Sequence, residues 1–383
     1  MRVNELDSVR GIAAFVVVLH HFWETVLPDQ NTFPFEGNPI AGTGWLADVA
    51  YWISLSPLRL LFSGHAAVGV FFVLSGFALT KSLSYSRQNE FLRFMVRRFF
   101  RIYPPFALII LSTALLCYWL QPQAIPGRDW INLSWNTPVT TDLVLGHLGM
   151  IVTSGHYVSL NSPMWTLVHE LRISLIFVFL APLVIAYPRS AFVTSIVVFI
   201  LLSIRHLTTL FTDVVPDGLT REIVLSVFQT ARYVMFFVFG ILVASKYTAF
   251  DAFLSRRPGL TKVLWPMAFL LLAVPYTKGY VEFSYAVGAF VLITLCMHSP
   301  TARGFLNRPP LLWLGRVSYS LYLSHQLVLL GLVHLLHDRV PMAVILLLVL
   351  AISLPLAELL NRTVEMPSSE IGKRLSRLGM PAH

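Results

Sequence analysis

Arg10 and His21 stand eleven positions apart in the apolar run Leu6–Phe22 that opens the sequence. On an α-helix, eleven steps of about 100° amount to roughly three turns plus 20°, so both side chains share one face, about 16 Å apart along the axis. The adjacent His20 is turned from Arg10 by roughly 80° on the same arithmetic. A guanidinium at a membrane boundary and an imidazole deeper on the same face are costly in an apolar phase, which makes the pair a functional candidate. An imidazole takes up and releases a proton near neutral pH. The alternative is an interfacial anchor beside a histidine hydrogen-bonded within a helix bundle.

Four further stretches carry chemistry-bearing groups in apolar surroundings. In 70–77, Ser75 and Gly76 are small residues among bulky ones, where a helix or a ligand can approach the backbone. In 93–105, Arg93, Arg97 and Arg101 recur every fourth residue as a stripe, with Arg98 on an adjoining line and Tyr103 just before Pro104. These arginines suit anionic headgroups and topogenesis, or a bidentate seat for a phosphorylated cytosolic ligand. In 162–173, Pro163 suits a helix start, which puts His169, Glu170 and Arg172 one to two turns into the bilayer. Glu170 and Arg172 face different ways and need separate partners. Glu170 is either a carboxylate that orients an imidazole or a structural ion-pair partner. In 314–326, His325 lies nine positions beyond Arg316, a looser repeat of the opening pair, with a structural hydrogen bond as the other role open to it.

The elements that must hold these groups follow from composition. Of 383 residues 56% are hydrophobic and 12% charged, about half the charged fraction of a soluble domain. Long apolar runs recur throughout. They predict an all-α fold, a polytopic transmembrane bundle of about ten helices near 8–28, 65–84, 98–120, 164–187, 190–207, 223–245, 262–277, 280–297, 316–336 and 340–362. Residues 1–370 read as a single integral membrane domain and 371–383 as a short basic cytoplasmic tail. The first run carries charge and lacks a clear cleavage site, so it is expected to remain as the first helix. Cys117 and Cys296 lie inside apolar segments; no disulfide framework or thiolate site is indicated, and no metal is expected.

The net charge of +9 would suit nucleic acid, but the basic residues are distributed as in a membrane protein and no nucleic-acid partner is expected. With a cytoplasmic N-terminus, the inner connections collect Arg87, Arg93, Arg97, Arg98, Arg101, Arg189, Lys246, Arg256, Arg257, Lys262, Arg303, Arg308 and Arg316, and the tail adds Arg362, Lys373, Arg374 and Arg377. The outer connections hold Arg59, Arg128, Arg205, Arg221, Lys278 and Arg339. This positive-inside asymmetry places both termini in the cytoplasm. The parity rests on 262–277, which Pro266 and Pro275 interrupt. Two long outer connections, roughly 29–64 and 121–163, have Trp45, Trp52, Trp119, Trp130, Trp135 and Trp165 in or beside them. These suit an interfacial belt or a platform for the apolar face of a sugar. A proton-coupled multi-pass transporter, with the buried Arg, His and Glu residues as its relay, is the rival class, and a membrane scaffold the third. No internal repeat is apparent, which weighs against an inverted-repeat transporter.

Taken in order, five motifs resemble the acyltransferase 3 family, integral membrane enzymes that O-acylate carbohydrates and other molecules. Leu6-Asp7-Ser8-Val9-Arg10-Gly11 is similar to its first-helix pattern, in which ten residues separate an Arg from a His, here Arg10 and His21. Phe72-Val73-Leu74-Ser75-Gly76-Phe77 resembles the second motif, and Arg98-Phe99-Phe100-Arg101 with Tyr103-Pro104 the third. Trp165-Thr166-Leu167-Val168-His169-Glu170 looks like the Trp…Glu helix, and Ser318-Tyr319-Ser320-Leu321-Tyr322-Leu323-Ser324-His325 like the late Tyr-Leu-x-His segment. Leu171-Arg172-Ile173 departs from the commoner Gln-Phe-Tyr-like continuation, which bears on substrate or subgroup.

The resemblance implies transfer of an acyl group, most often acetyl, from cytoplasmic acetyl-CoA or another acyl-CoA to a hydroxyl. The acceptor is often a surface polysaccharide or its lipid-linked precursor, and the setting a bacterial inner membrane. A stand-alone member is expected, without the esterase-like domain fused to some relatives. On this reading His21, Arg10 and Glu170 are the catalytic candidates; Arg98, Arg101, Ser75 and Tyr103 bind the donor; His325, His169 and Arg172 are further candidates. His21 is expected to deprotonate the acceptor hydroxyl, with Glu170 raising its basicity or stabilising the imidazolium. The variant of this role is a covalent acyl-histidine.

Overall fold

The structure is a computed structural model that describes residues 3–26, 52–53, 56–83, 90–126, 129–135, 137–153, 158–204, 215, 217–275 and 279–377. Trp45, Arg87, Arg128, Arg205 and Lys278 lie outside them. Among the described residues there is no strand. The helices are α1 (Asn4–Val26), α2 (Gly64–Ser82), α3 (Glu90–Leu120), α4 (Asp129–Leu133), α5 (Thr141–Gly149), α6 (Met164–Ala186), α7 (Pro188–Ser203) and α8 (Leu219–Ser255). They continue as α9 (Pro258–Leu272), α10 (Glu282–His298), α11 (Pro300–Leu306), α12 (Pro309–Leu336), α13 (Met342–Leu360) and α14 (Met366–Leu375). A 3₁₀ turn, Pro57–Phe62, precedes α2, and a π turn, Asn361–Glu365, joins α13 to α14.

Each of the ten segments expected to be helical contains a helix among the described residues, and the fold is an all-α polytopic membrane bundle. By length and apolarity seven spans qualify among the described residues, or eight if α10 and α11, bent by 93°, count as one. The 16-residue α7 and 15-residue α9 are apolar but shorter than the roughly 20 residues that cross a bilayer core. Helix α3 begins at Glu90, eight residues before the apolar stretch read from sequence, so its arginines are part of one 31-residue rod. At 1.5 Å per residue the rod is about 46 Å long, more than the ~30 Å hydrocarbon core, and one end must project.

Close backbone contacts set how the helices cross. Gly11 of α1 abuts Gly315 of α12; a Cβ on Gly315 would lie 2.3 Å from the Asp7 carbonyl oxygen. Ten residues further along both helices, His21 meets His325, so α1 and α12 run parallel with a constant offset. Ser8 Oγ donates to the Leu306 carbonyl at 2.6 Å and pins the same register from α11. Helix α2 crosses α8 in the same manner: a Cβ on Gly240 would lie 2.1 Å from the Val73 carbonyl oxygen. In lipid, small residues of this kind let backbones approach and pack.

Two apolar cores result. One gathers Phe72, Phe177, Phe236, Phe237 and Tyr285 from α2, α6, α8 and α10; the other gathers Phe106, Ile110, Val168, Val317 and Leu329 from α3, α6 and α12. Helix α1 serves both, with Val9, Ala13 and Val17 in the first and Ala14, Val18 and Phe22 in the second. At about 100° per residue those sets centre near 220° and 0°, and Arg10 and His21 fall near 290°, between them. The polar face of α1 therefore lies on the seam between the cores.

The boundary read at residue 371 falls inside α14, which is docked on α3: a Cβ on Gly372 would lie 2.7 Å from Phe100 Cβ. Residues 371–375 continue that helix. Residues 378–383 lie outside those described.

Candidate active site

The seam carries polar groups at two depths. Near the start of α1, Arg10 is held by Asp7 at 3.1 Å and lies within electrostatic reach of Arg98, Arg101 and Glu170. Arg98 points inward from α3 and is ion-paired with Glu170 of α6. Ser75 Oγ of α2 donates to the same Glu170 oxygen at 3.1 Å. Three helices are thus tied together at one carboxylate, and an ion pair this sheltered holds only because each charge meets a partner. Arg98 Nε is buried and has no hydrogen-bond partner among the described residues. Arg101, one turn on, is exposed, while Arg97 pairs with Glu90 at 2.7 Å. The Tyr103 hydroxyl donates to the Leu148 carbonyl at 3.1 Å and its ring stacks on Phe99.

Helix α12 leads from this cradle to the second depth. The Tyr319 hydroxyl donates to the Ile102 carbonyl at 2.7 Å. Three residues on, Tyr322 bonds Thr166 Oγ1 at 2.8 Å and the Pro163 carbonyl at 3.1 Å. Three more residues reach His325, which is fully buried. Its Nδ1 lies 3.1 Å from the Leu321 carbonyl, one helical turn back, and its Nε2 lies 2.7 Å from His21 Nδ1. A carbonyl only accepts, so His325 carries its proton on Nδ1 and offers a lone pair at Nε2. His21 must then donate from Nδ1, which leaves the lone pair of His21 on Nε2. The two rings lie 5.0 Å apart at 11°, and Trp130 of α4 stacks against His21 at 5.4 Å and 21°.

The structure brings together Arg98, Glu170 and Ser75, with Arg10 beside them, and separately His21 with His325. It does not put Glu170 on His21, as the sequence reading expected; the carboxylate is engaged by Arg98 and Ser75, and His325 holds the imidazole instead. His169 and Arg172 belong to neither group. His169 Nδ1 bonds Thr230 at 2.8 Å, and Arg172 reaches Ser226 at 2.7 Å, Thr230 at 3.1 Å and the Ile151 carbonyl, so both staple α6 to α8. Arg316, the counterpart of Arg10 on α12, is bound to Glu358 at 3.1 Å. The groups that sequence reasoning did not single out are the bridging hydroxyls Tyr322 and Thr166 and the platform ring Trp130 among its many tryptophans. Tyr322 was legible as the residue one turn before His325 on its own side of the helix.

No curated protein and no solved structure matches this chain. A family model described as an acyltransferase domain matches residues 3–360, a span that includes the charged cradle and the histidine pair. The match bears out the resemblance read from the five motifs: the chain belongs to the acyltransferase 3 family and is a multi-pass membrane acyltransferase.

Proposed function

We propose that this protein moves an acyl group, acetyl in the first instance, from cytoplasmic acyl-CoA to a hydroxyl of a carbohydrate acceptor, a surface polysaccharide or its lipid-linked precursor, in a bacterial inner membrane. The hydrogen-bond chain from the Leu321 carbonyl through His325 to His21 carries this reading, because it leaves a basic lone pair on His21 Nε2. His21 takes the acceptor's proton as the acceptor oxygen attacks the thioester carbonyl. The new C–O bond forms, the C–S bond breaks, and the departing thiolate of CoA receives that proton from the imidazolium. His325, which accepts the His21 Nδ1–H, fixes the ring and stabilises the imidazolium while it lasts.

The donor's phosphates suit the projecting end of α3. Arg101 is exposed there, and guanidinium groups bind phosphate through paired hydrogen bonds. Arg98, locked to Glu170, and Arg10, locked to Asp7, shape the wall beside it. The flexible pantetheine arm can cover the axial rise of about 16 Å from Arg10 to His21. Trp130 supplies a flat apolar face next to the reacting hydroxyl, which suits a sugar ring.

Purified protein incubated with labelled acetyl-CoA and a glycan acceptor tests this. The expected result is release of CoA that depends on acceptor, with a glycan product heavier by one acyl group. A proton-coupled transporter gives neither, and CoA release indifferent to every hydroxyl acceptor contradicts the proposal.

A further inference from the structure

The last turns of α1 carry a second convergence of donor atoms. His20 Nδ1 lies 2.8 Å from the Phe62 carbonyl at the end of the 3₁₀ turn and donates its proton there, which leaves Nε2 as a lone pair. That Nε2 faces a carboxylate oxygen of Glu24, one helical turn on, at 3.4 Å. His21 has its Nδ1–H engaged by His325 and so also offers Nε2. One donor atom from each of His20, His21 and Glu24 lies within 4.8 Å of the other two. The side chains of His20 and Glu24 are 14% and 23% exposed, sheltered yet within reach of a small ion.

A shared proton would reconcile His20 with Glu24 but would leave His21 out. A cation reconciles all three. Each imidazole already gives its other N–H to an acceptor, the arrangement that orients metal-binding histidines and raises their basicity. A tetrahedral zinc ion with bonds of ~2.0–2.1 Å needs donors about 3.4 Å apart, which is the His20–Glu24 separation; the His21 donor atom stands within 4.8 Å of both. Two imidazoles and one carboxylate with no thiolate suit zinc and its divalent neighbours, whereas magnesium and calcium prefer all-oxygen sets.

We infer that His20, His21 and Glu24 form a site for a divalent transition-metal ion of the zinc class, with no fourth protein ligand among the described residues, and that filling it inhibits acyl transfer. The ion takes the His21 lone pair that would otherwise take the acceptor's proton; this inhibitory half rests on the function proposed above, and the binding half does not.

Full-length protein in detergent, stripped with a chelator and titrated with zinc chloride, is followed by two readouts, zinc bound per chain and acceptor-dependent release of CoA. Binding of one zinc per chain is expected, with transfer falling about tenfold or more at saturation and returning on chelation. Glu24→Gln and His20→Ala should keep the zinc-free rate, bind zinc about tenfold or more weaker, and escape inhibition. Magnesium chloride should do nothing. Absent stoichiometric binding, or binding equally tight in both variants, overturns the site. Zinc bound through Glu24 and His20 with transfer undiminished overturns the inhibition and the reading of His21 as the base, so the binding readout tells the two failures apart.

Discussion

A backbone carbonyl on α12 sets the protonation pattern of a side chain on α1. Leu321 fixes the proton of His325 on Nδ1, His325 fixes the proton of His21 on Nδ1, and the basic nitrogen of His21 is thereby directed away from its partner. Removal of the base should cost about 10²- to 10⁴-fold in rate, so His21→Ala is expected to show that loss at normal membrane levels. His325→Ala should cost less, about 10- to 100-fold, because the ring loses its orientation but keeps its lone pair. His325→Gln should recover part of it by accepting the same N–H. The two arginines of the third motif separate in another way. Arg98→Ala strands the Glu170 carboxylate in a sheltered site and should lower stability by about 3 kcal/mol, read as a lower melting temperature in detergent. Arg101 is exposed; Arg101→Ala should leave melting unchanged and raise KM for acyl-CoA about tenfold, the worth of one charge-assisted hydrogen bond. If the two variants exchange these phenotypes, the phosphate seat is at Arg98.

At the scale of elements, close crossings convert glycine positions into site geometry. Gly315→Ala puts a Cβ within 2.3 Å of the Asp7 carbonyl and must move α1 off α12, and with it His21 off His325. A loss of about 1–3 kcal/mol is expected from the overpacking, together with a fall in kcat like that of His325→Ala. Gly240→Ala forces α8 off α2 equally hard but spares the histidine pair, so its kcat per folded molecule should hold. Equal kcat losses in the two variants would mean that the α1–α12 register does not set the reaction. Helical arithmetic made the shared face of Arg10 and His21 legible, because both lie on one continuous helix. The partner of His21 was not legible, since residue 325 is reached only through a parallel packing of first and late helices that no local pattern encodes. The Glu170 pairing failed for the same reason: the sequence offered an unpartnered carboxylate and several cations, and depth in the bundle chose Arg98. The start of α3 was missed because its arginines depress hydropathy although they extend the same helix.

Among the described residues two apolar cores meet at a seam, and that seam carries Arg10, His21 and their partners. Composition made the membrane bundle plain, because apolar runs of this length satisfy their backbone groups in lipid by forming helices. Which short helices complete a crossing is harder to read, since α7 and α9 fall below the length that decides it. The positive-inside asymmetry predicts the orientation. Cys117 and Cys296 are buried, so single cysteines can report it with an impermeant thiol reagent. Leu145→Cys should be labelled in intact cells and Arg374→Cys only after permeabilisation; the reverse pattern would turn the protein over.

In the proposed reaction His21, positioned by His325, moves the proton in acyl transfer. The most direct measurement compares acceptor-dependent acyl transfer by wild type, His20→Ala, His325→Ala and His21→Ala, zinc-free and normalised to folded protein. The predicted order is wild type equal to His20→Ala, then His325→Ala, with His21→Ala lowest by about 10²-fold or more. Normal transfer by His21→Ala, with transfer abolished in His20→Ala or His325→Ala, would contradict it.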